Sequence, residues 1–295
     1  MILNVSGRTD IIAFYEKWFM NRLNAGFVDV RNPFNPKLVS RINFSDVDLI
    51  LFCTKNPIPI LNDLDKIKIP FIFHVTITPY KNDIEPNVIS KTEIINAVKK
   101  ISTIIGKDNI YIRYDPIFLS DKYNIDYHIK AFNKLCTLLN GYVNTIIVSF
   151  LDEYKNVLKN KNILKYRQFT ENEYKLIGEN FSNIARTNNM VVQTCFEDRN
   201  LTEYGFKKGE CLSHELAYKL TGKTYKSWKA RKERKCECVE MVDIGCYNSC
   251  KHFCKYCYAN YDEKMVNENF KNHDVNSSLL CGNLKKDDII KVRNK

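Results

Sequence analysis

The chain has 295 residues, 44% of them hydrophobic, and a formal charge of +11. That is enough apolar material for one large core, and no apolar run approaches the length a bilayer span needs, so a membrane-embedded protein is excluded and no membrane partner is expected. Eleven cysteines, an odd number, argue against a disulfide framework and for metal ligation in a reducing compartment. Residues 1–10 lack a basic start followed by an apolar segment and a cleavage site. A soluble, unprocessed, cytoplasmic protein is the expectation.

In chain order, residues 2–5 read as a short strand that ends in Ser6-Gly7-Arg8-Thr9-Asp10, a turn in which Thr9 or Asp10 caps a helix over residues 11–24. Ile12, Tyr15, Trp18, Phe19 and Leu23 fall at helical spacing on that helix and mark its core face. Residues 30–36 read as a loop. A strand over 47–52 runs into Cys53-Thr54-Lys55-Asn56-Pro57, and 71–78 is a strand stopped by Pro79. Cys53 and His74 read as core positions. Then follow a helix over 91–105, a strand over 110–114 ending in Arg113-Tyr114-Asp115-Pro116, a helix over 125–139 and a strand over 145–150. Residues 152–168 read as loop or irregular helix, 171–187 as a helix capped by Thr170, and 190–194 as a strand that delivers Cys195-Phe196-Glu197.

Strand and helix thus alternate as in parallel βαβ units, which predicts an α/β fold, a parallel, partial TIM-type barrel. In such folds chemistry collects at the C-terminal ends of the strands. The candidate ring is therefore Ser6 to Asp10, Thr54 to Asn56, Thr78, Arg113 to Asp115, Ser149 and Cys195 to Glu197. Residues 1–198 form the barrel core on this reading. Residues 199–295 form a Cys-rich segment with no clear α/β rhythm, in which 239–244 makes a last strand, 258–269 a helix and the tail a basic helix fragment. The run over 219–235 interleaves Lys and Arg with Tyr225 and Trp228; a solvated linker or helix face and a nucleic-acid surface are both open readings.

The densest chemistry is Cys250-Lys-His-Phe-Cys254-Lys-Tyr-Cys257. Three thiolates on so short a loop can each hold one iron of a cubane and leave the fourth iron to a ligand that is not protein. The spacing, with Tyr256 just before the last cysteine, resembles the motif of the radical S-adenosylmethionine (SAM) enzymes. The resemblance implies a [4Fe-4S] cluster whose open iron binds SAM and cleaves it reductively to a 5'-deoxyadenosyl radical. It also implies that Tyr256 lies against the adenine and Asn260 near the ribose or carboxylate. Structural zinc is the competing reading of any Cys-x2-Cys pair.

The radical SAM enzymes carry this loop after their first barrel strand, whereas here only 38 residues follow Cys257. Circular permutation answers the difficulty: the last strand can lie beside residues 2–5, which places Ser6, Gly7, Arg8 and Asp10 where those enzymes bind the SAM amino group, although their Gly-Gly-Glu is missing. The motif order resembles, over nearly the whole chain, an uncharacterised prokaryotic domain-of-unknown-function family with a C-terminal radical-SAM-like cysteine cluster. It rests on residues 2–10, Thr54-Lys55-Asn56-Pro57, residues 113–117, Thr194-Cys195-Phe196-Glu197, Asp243-Ile244-Gly245 and residues 256–260. There is a more distant likeness to spore photoproduct lyase. Cys53, Cys246 and Cys281 stand outside that pattern.

Setting those aside with Cys136 and the triad leaves Cys195, Cys211, Cys236 and Cys238, the complement of a second [4Fe-4S] cluster or of a structural zinc. The expected function is a radical SAM-type enzyme served by a flavodoxin- or ferredoxin-type electron donor. Arg113, Asp115 and Glu197 are the candidate catalytic residues, Arg8 stands near the SAM carboxylate, and the substrate is open, nucleic acid included. The alternative is a zinc-stabilised nucleic-acid-binding protein.

Overall fold

A computed structural model of the chain describes residues 1–195, 197, 199–228 and 237–293. The elements are β1 (Ile2–Val5), α1 (Ile11–Phe14), α2 (Glu16–Ala25), β2 (Phe27–Arg31), β3 (Leu38–Asn43), β4 (Leu49–Thr54), β5 (Phe71–Thr76), α3 (Lys91–Ile105), β6 (Ile110–Ile117), α4 (Ile125–Leu139) and β7 (Thr145–Phe150). They continue as α5 (Lys155–Lys159), α6 (Lys161–Leu164), α7 (Glu171–Thr187), β8 (Val191–Thr194), β9 (Lys207–Lys208), α8 (His214–Thr221), β10 (Met241–Asp243), α9 (Glu263–Lys271) and β11 (Ile289–Val292).

Eight strands form one sheet in the order β10-β1-β4-β5-β6-β7-β8-β9. Every pairing in it is parallel. The α/β class and the parallel sheet expected of the strand–helix alternation are therefore present, an arrangement consistent with a part-barrel. Two of the eight strands, β9 and β10, come from the Cys-rich segment, and β10 pairs with β1 through Ile2 opposite Met241 and Asn4 opposite Asp243.

The period-2 alternation of the strands sends their side chains to two faces. On one face Leu3, Val5, Ile50, Phe52, Phe73, Val75, Ile112, Tyr114, Ile146 and Val148 meet the helices. Phe19 of α2 meets Phe52 edge-on at 5.5 Å, and Phe132 of α4 stacks on Phe181 of α7 at 3.8 Å. Each such buried ring contributes on the order of 1.5–3 kcal/mol. On the opposite face Ile2, Leu49, Leu51 and Ile72 meet Leu212, Ala217, Val239 and Met241, so the chain around α8 fills the concave side.

The helix starts follow the sequence: Asp10, Ser90, Asn124 and Thr170 each accept a backbone N–H of the first turn, and Thr170 with Glu173 closes a full capping box. Four expectations change. The helix over 11–24 breaks at Tyr15 into α1 and α2, which turns the Tyr15 hydroxyl toward Ser249 O at 2.6 Å. The loop over 30–36 is instead the turn of a β2–β3 hairpin, where Asn32 Oδ1 accepts the Phe34 and Asn35 amides. The helix over 258–269 starts only at Glu263, capped by Asp262. The basic tail is a strand, β11, that adds in parallel to β3. No helix among the described residues is long and apolar enough to cross a membrane.

Candidate metal centre and strand-end site

The C-terminal ends of β1, β4, β5, β6, β7, β8 and β10 open on one edge, and the cysteine loop lies across it. Phe253 and Asn248 take left-handed backbone (φ 54° and 52°), which folds the loop tightly without glycine. Its backbone is tied to the 84–87 loop, with Lys255 N donating to Ile84 O (2.9 Å) and Asn87 Nδ2 to Lys251 O (2.8 Å). From the other side Asn156 Nδ2 donates to Cys257 O and Asn260 O (2.8 and 2.7 Å), and Asn160 Nδ2 to Lys255 O (2.7 Å).

Cys250 and Cys254 are buried and Cys257 half-buried. Burial pushes all three thiols up, and their mutual charges add to this at Cys250 and Cys254. Against it work the His252 backbone at Cys250, Lys55 and Lys91 at Cys254, and the backbone of Ala259 and Asn260 at Cys257. Such thiols resist ionising until a cation arrives, and the donors that favour their thiolates are already in place.

Around the loop stands a buried ionic network in which the sequence candidates Asp10, Lys55, Thr78 and Tyr256 meet Glu85, Lys91 and His252, which the sequence did not point to. Glu85 accepts from Lys55 Nζ (2.7 Å) and Thr78 Oγ1 (2.6 Å), and also from Lys91 and the Tyr256 hydroxyl. Burial pushes the Glu85 carboxyl up, yet the two lysines outweigh it and hold it down at about 2. Asp10 caps α1 through Ala13 N and also accepts Lys55 N (2.7 Å) and His252 Nε2 (2.9 Å), so one carboxylate joins β1, β4 and the cysteine loop.

Asp243, at the end of β10, likewise accepts Gly7 N (3.0 Å), Gly245 N (2.8 Å) and Arg8 Nε (2.6 Å). Arg8 is therefore tied to β10, and Ser6, in a positive-φ backbone (117°), accepts Ile11 N at 2.9 Å. Tyr256 is buried against Tyr80. The Asn260 side chain braces the Cys250 backbone, donating to its carbonyl and accepting its N–H. Nothing near Glu85 or Lys91 in the sequence marks them, and neither the motif around Asp243 nor the loop that holds His252 tells what those two side chains bond.

A second group lies on the concave face. Cys195, just after β8, Cys211 and Cys238 hold their sulfurs within 4.8 Å of one another, close enough to share one ion. The Cys250, Cys254 and Cys257 loop is not such a group. Arg113 Nη1 donates to Cys211 Sγ at 3.1 Å, and its Nε to Asp115 at 3.0 Å. Ser149 also bonds Asp115, while Glu197 accepts Phe150 N at 2.9 Å. Bonds from Cys195 and Cys238 and the Arg113 charge outweigh burial and hold the Cys211 thiol well below its usual value. Three of the four cysteines read as an auxiliary set thus meet, and Cys236 lies outside the described residues.

Cys246 and Cys281 are free thiols that stand outside the metal group, and Cys246 donates to Tyr247 O at 3.4 Å. Of the basic run, residues 229–235 lie outside the described residues. Its two aromatics, Tyr225 and Trp228, pack against the concave-face cluster instead of facing outward as stacking platforms.

The family model for a domain of unknown function, DUF1848, matches residues 2–259. The chain belongs to that family. The DUF1848 match runs from β1 through the cysteine loop and covers both thiol groups. No curated protein matches the chain. Among solved structures, the Xanthomonas citri FimX EAL domain in complex with c-diGMP is similar at 9% identity, covering 65% of this chain and 89% of that one, with a TM-score of 0.22.

Proposed function

We propose that the protein is a radical SAM-type enzyme built on a circularly permuted part-barrel, with Cys250, Cys254 and Cys257 as the protein ligands of a [4Fe-4S] cluster. The observation that carries this is the position of the loop: two buried thiols and one half-buried at the strand ends, delivered by β10, which pairs in parallel with β1. In that neighbourhood a loop following the last strand stands where a loop following the first would stand in an unpermuted barrel. The residues fit the group, because the His252, Ala259 and Asn260 backbone and the Lys55 cation favour the three thiolates.

When bound, cluster and SAM supply one-electron cleavage of a C–S bond and, through it, hydrogen-atom abstraction. The chain's own part is to hold and to screen. Lys55 and Lys91 set positive charge beside the anionic centre, Glu85 fixes both lysines, and Asp10 fixes His252 and the Lys55 backbone. Tyr80 and Tyr256 wall the loop from water. Arg113, Asp115 and Glu197 line the same edge and are the residues proposed to face substrate, and a flavodoxin- or ferredoxin-type donor is the proposed electron source.

Anaerobically reconstituted, dithionite-reduced protein incubated with SAM is expected to release 5'-deoxyadenosine, and Cys254→Ala to abolish both the release and the brown chromophore. Wild-type protein carrying its full iron complement and yielding none would sink the proposal.

A further inference from the structure

The second thiol group does not depend on the radical reading, and its geometry decides what it can hold. Tetrahedral zinc takes thiolates at about 2.3 Å, which sets their sulfurs roughly 3.8 Å apart. On a cubane each thiolate sits on its own iron, and the ligand sulfurs stand wider. Cys195 and Cys238 hold their sulfurs 3.8 Å apart, and Cys211 and Cys195 3.0 Å apart. All three sulfurs lie within the 4.8 Å that one ion can span, and the 3.0 Å pair would widen on binding it.

A fourth donor stands beside them. His74, on β5, is fully buried on the same face beside Cys211, and neither ring nitrogen makes a well-formed hydrogen bond. Such a ring offers a nitrogen lone pair of the kind zinc-class ions take, on the face where the three sulfurs meet. An orphaned buried imidazole is costly unless something binds it.

The placement gives the ion a task. The sheet's two outer strands are β9 and β10. Cys211 lies three residues after β9 and Cys238 three before β10, and the two segments meet through Cys211 N to Cys238 Sγ (3.2 Å) and Val239 N to Leu212 O (3.2 Å). We infer that Cys195, Cys211, Cys238 and His74 bind a single zinc-class divalent cation that joins the two edges of the part-barrel. His74 stands outside the 4.8 Å group, so its ring closes on the ion as binding completes the shell. Each thiol that is still protonated releases its proton to solvent as the ion binds. Arg113 offsets the charge of the three thiolates, sharing itself with Asp115.

Metal analysis and zinc-edge X-ray absorption on the full-length protein test this. About one zinc per chain is expected, with three sulfurs at about 2.3 Å and one nitrogen at about 2.0–2.1 Å. Cys254→Ala, which disables only the loop centre, is expected to keep the zinc, and H74C to keep it with four sulfurs. Wild type without stoichiometric zinc overturns the inference, as does a wild-type shell of four sulfurs, which would put Cys236 in the place of His74. Iron–iron scattering in Cys254→Ala would also overturn it, as the mark of a second cluster. Because the wild-type spectrum decides, a variant that fails to fold leaves the test intact, and failure of SAM cleavage leaves it untouched.

Discussion

Glu85 shows how a single carboxylate can hold a site together. It is 1% exposed yet carries four donors, two of them cations. Its folded value, about 2, lies below the 4.5 of a free carboxyl. The stabilisation is therefore complete above pH ~4.5 and is lost as pH falls toward 2. Glu85→Gln leaves Lys55 and Lys91 facing each other without a counter-charge, an arrangement that costs about 3–5 kcal/mol in buried pairs. Urea unfolding at pH 7 is expected to show that loss, with the gap from wild type narrowing by pH 3. A gap that stays constant with pH would mean that the ion pairs contribute nothing. The cysteine triad was legible in the sequence because its spacing is local. Glu85, Lys91 and His252 were not, since their roles arise from three loops converging at a sheet edge, and no local pattern records a tertiary contact.

At the scale of elements, legibility followed the strength of local signals. Capped amphipathic helices such as α3, α4 and α7 lie within their expected bounds, because cap and apolar stripe are both written locally. The break at Tyr15 and the strand β11 were missed for a shared reason: the deciding partners, Ser249 and β3, are distant in the chain. The β1 turn and the end of β10 form another such long-range unit. A Cβ built on Gly7 would stand 2.8 Å from Asp243 Cγ and 2.9 Å from Oδ2. Gly7→Ala must therefore push away the carboxylate that accepts Gly7 N, Gly245 N and Arg8 Nε, and overpacking of this kind costs roughly 1–3 kcal/mol. Denaturant unfolding is expected to show that loss, together with weaker iron retention by the cluster proposed for the adjoining loop. An unchanged midpoint would show that the turn yields freely.

At the scale of the molecule, the parallel sheet could be expected from strand–helix alternation, but the way its ends are managed could not. The segment from 199 onward supplies both outer strands and the filling of the concave face, and the tail then crosses to the far side. There Ser277 O accepts the Trp18 indole N–H (2.8 Å), Ser278 O accepts Asp29 N (2.9 Å), and Asp288 pairs with both terminal nitrogens of Arg31 (2.6 and 2.7 Å). Deleting residues 274–295 strands two buried N–H groups at about 1–3 kcal/mol each and uncovers the hairpin. Against a total stability of order 5–15 kcal/mol, that loss is a large fraction. It also reaches the cysteine loop, because Tyr15, which holds Ser249, packs on His273, whose ring is bonded to Leu280 O of the tail at 2.9 Å. The truncated protein is expected to melt several degrees lower and to retain less iron at the proposed cluster. Lys37→Ala, which breaks only the exposed pair with Asp287, is expected to shift stability by no more than about 0.5 kcal/mol. A truncation that melts with wild type would mean that the tail rests on the fold without holding it, and that Trp18 finds its partner in water.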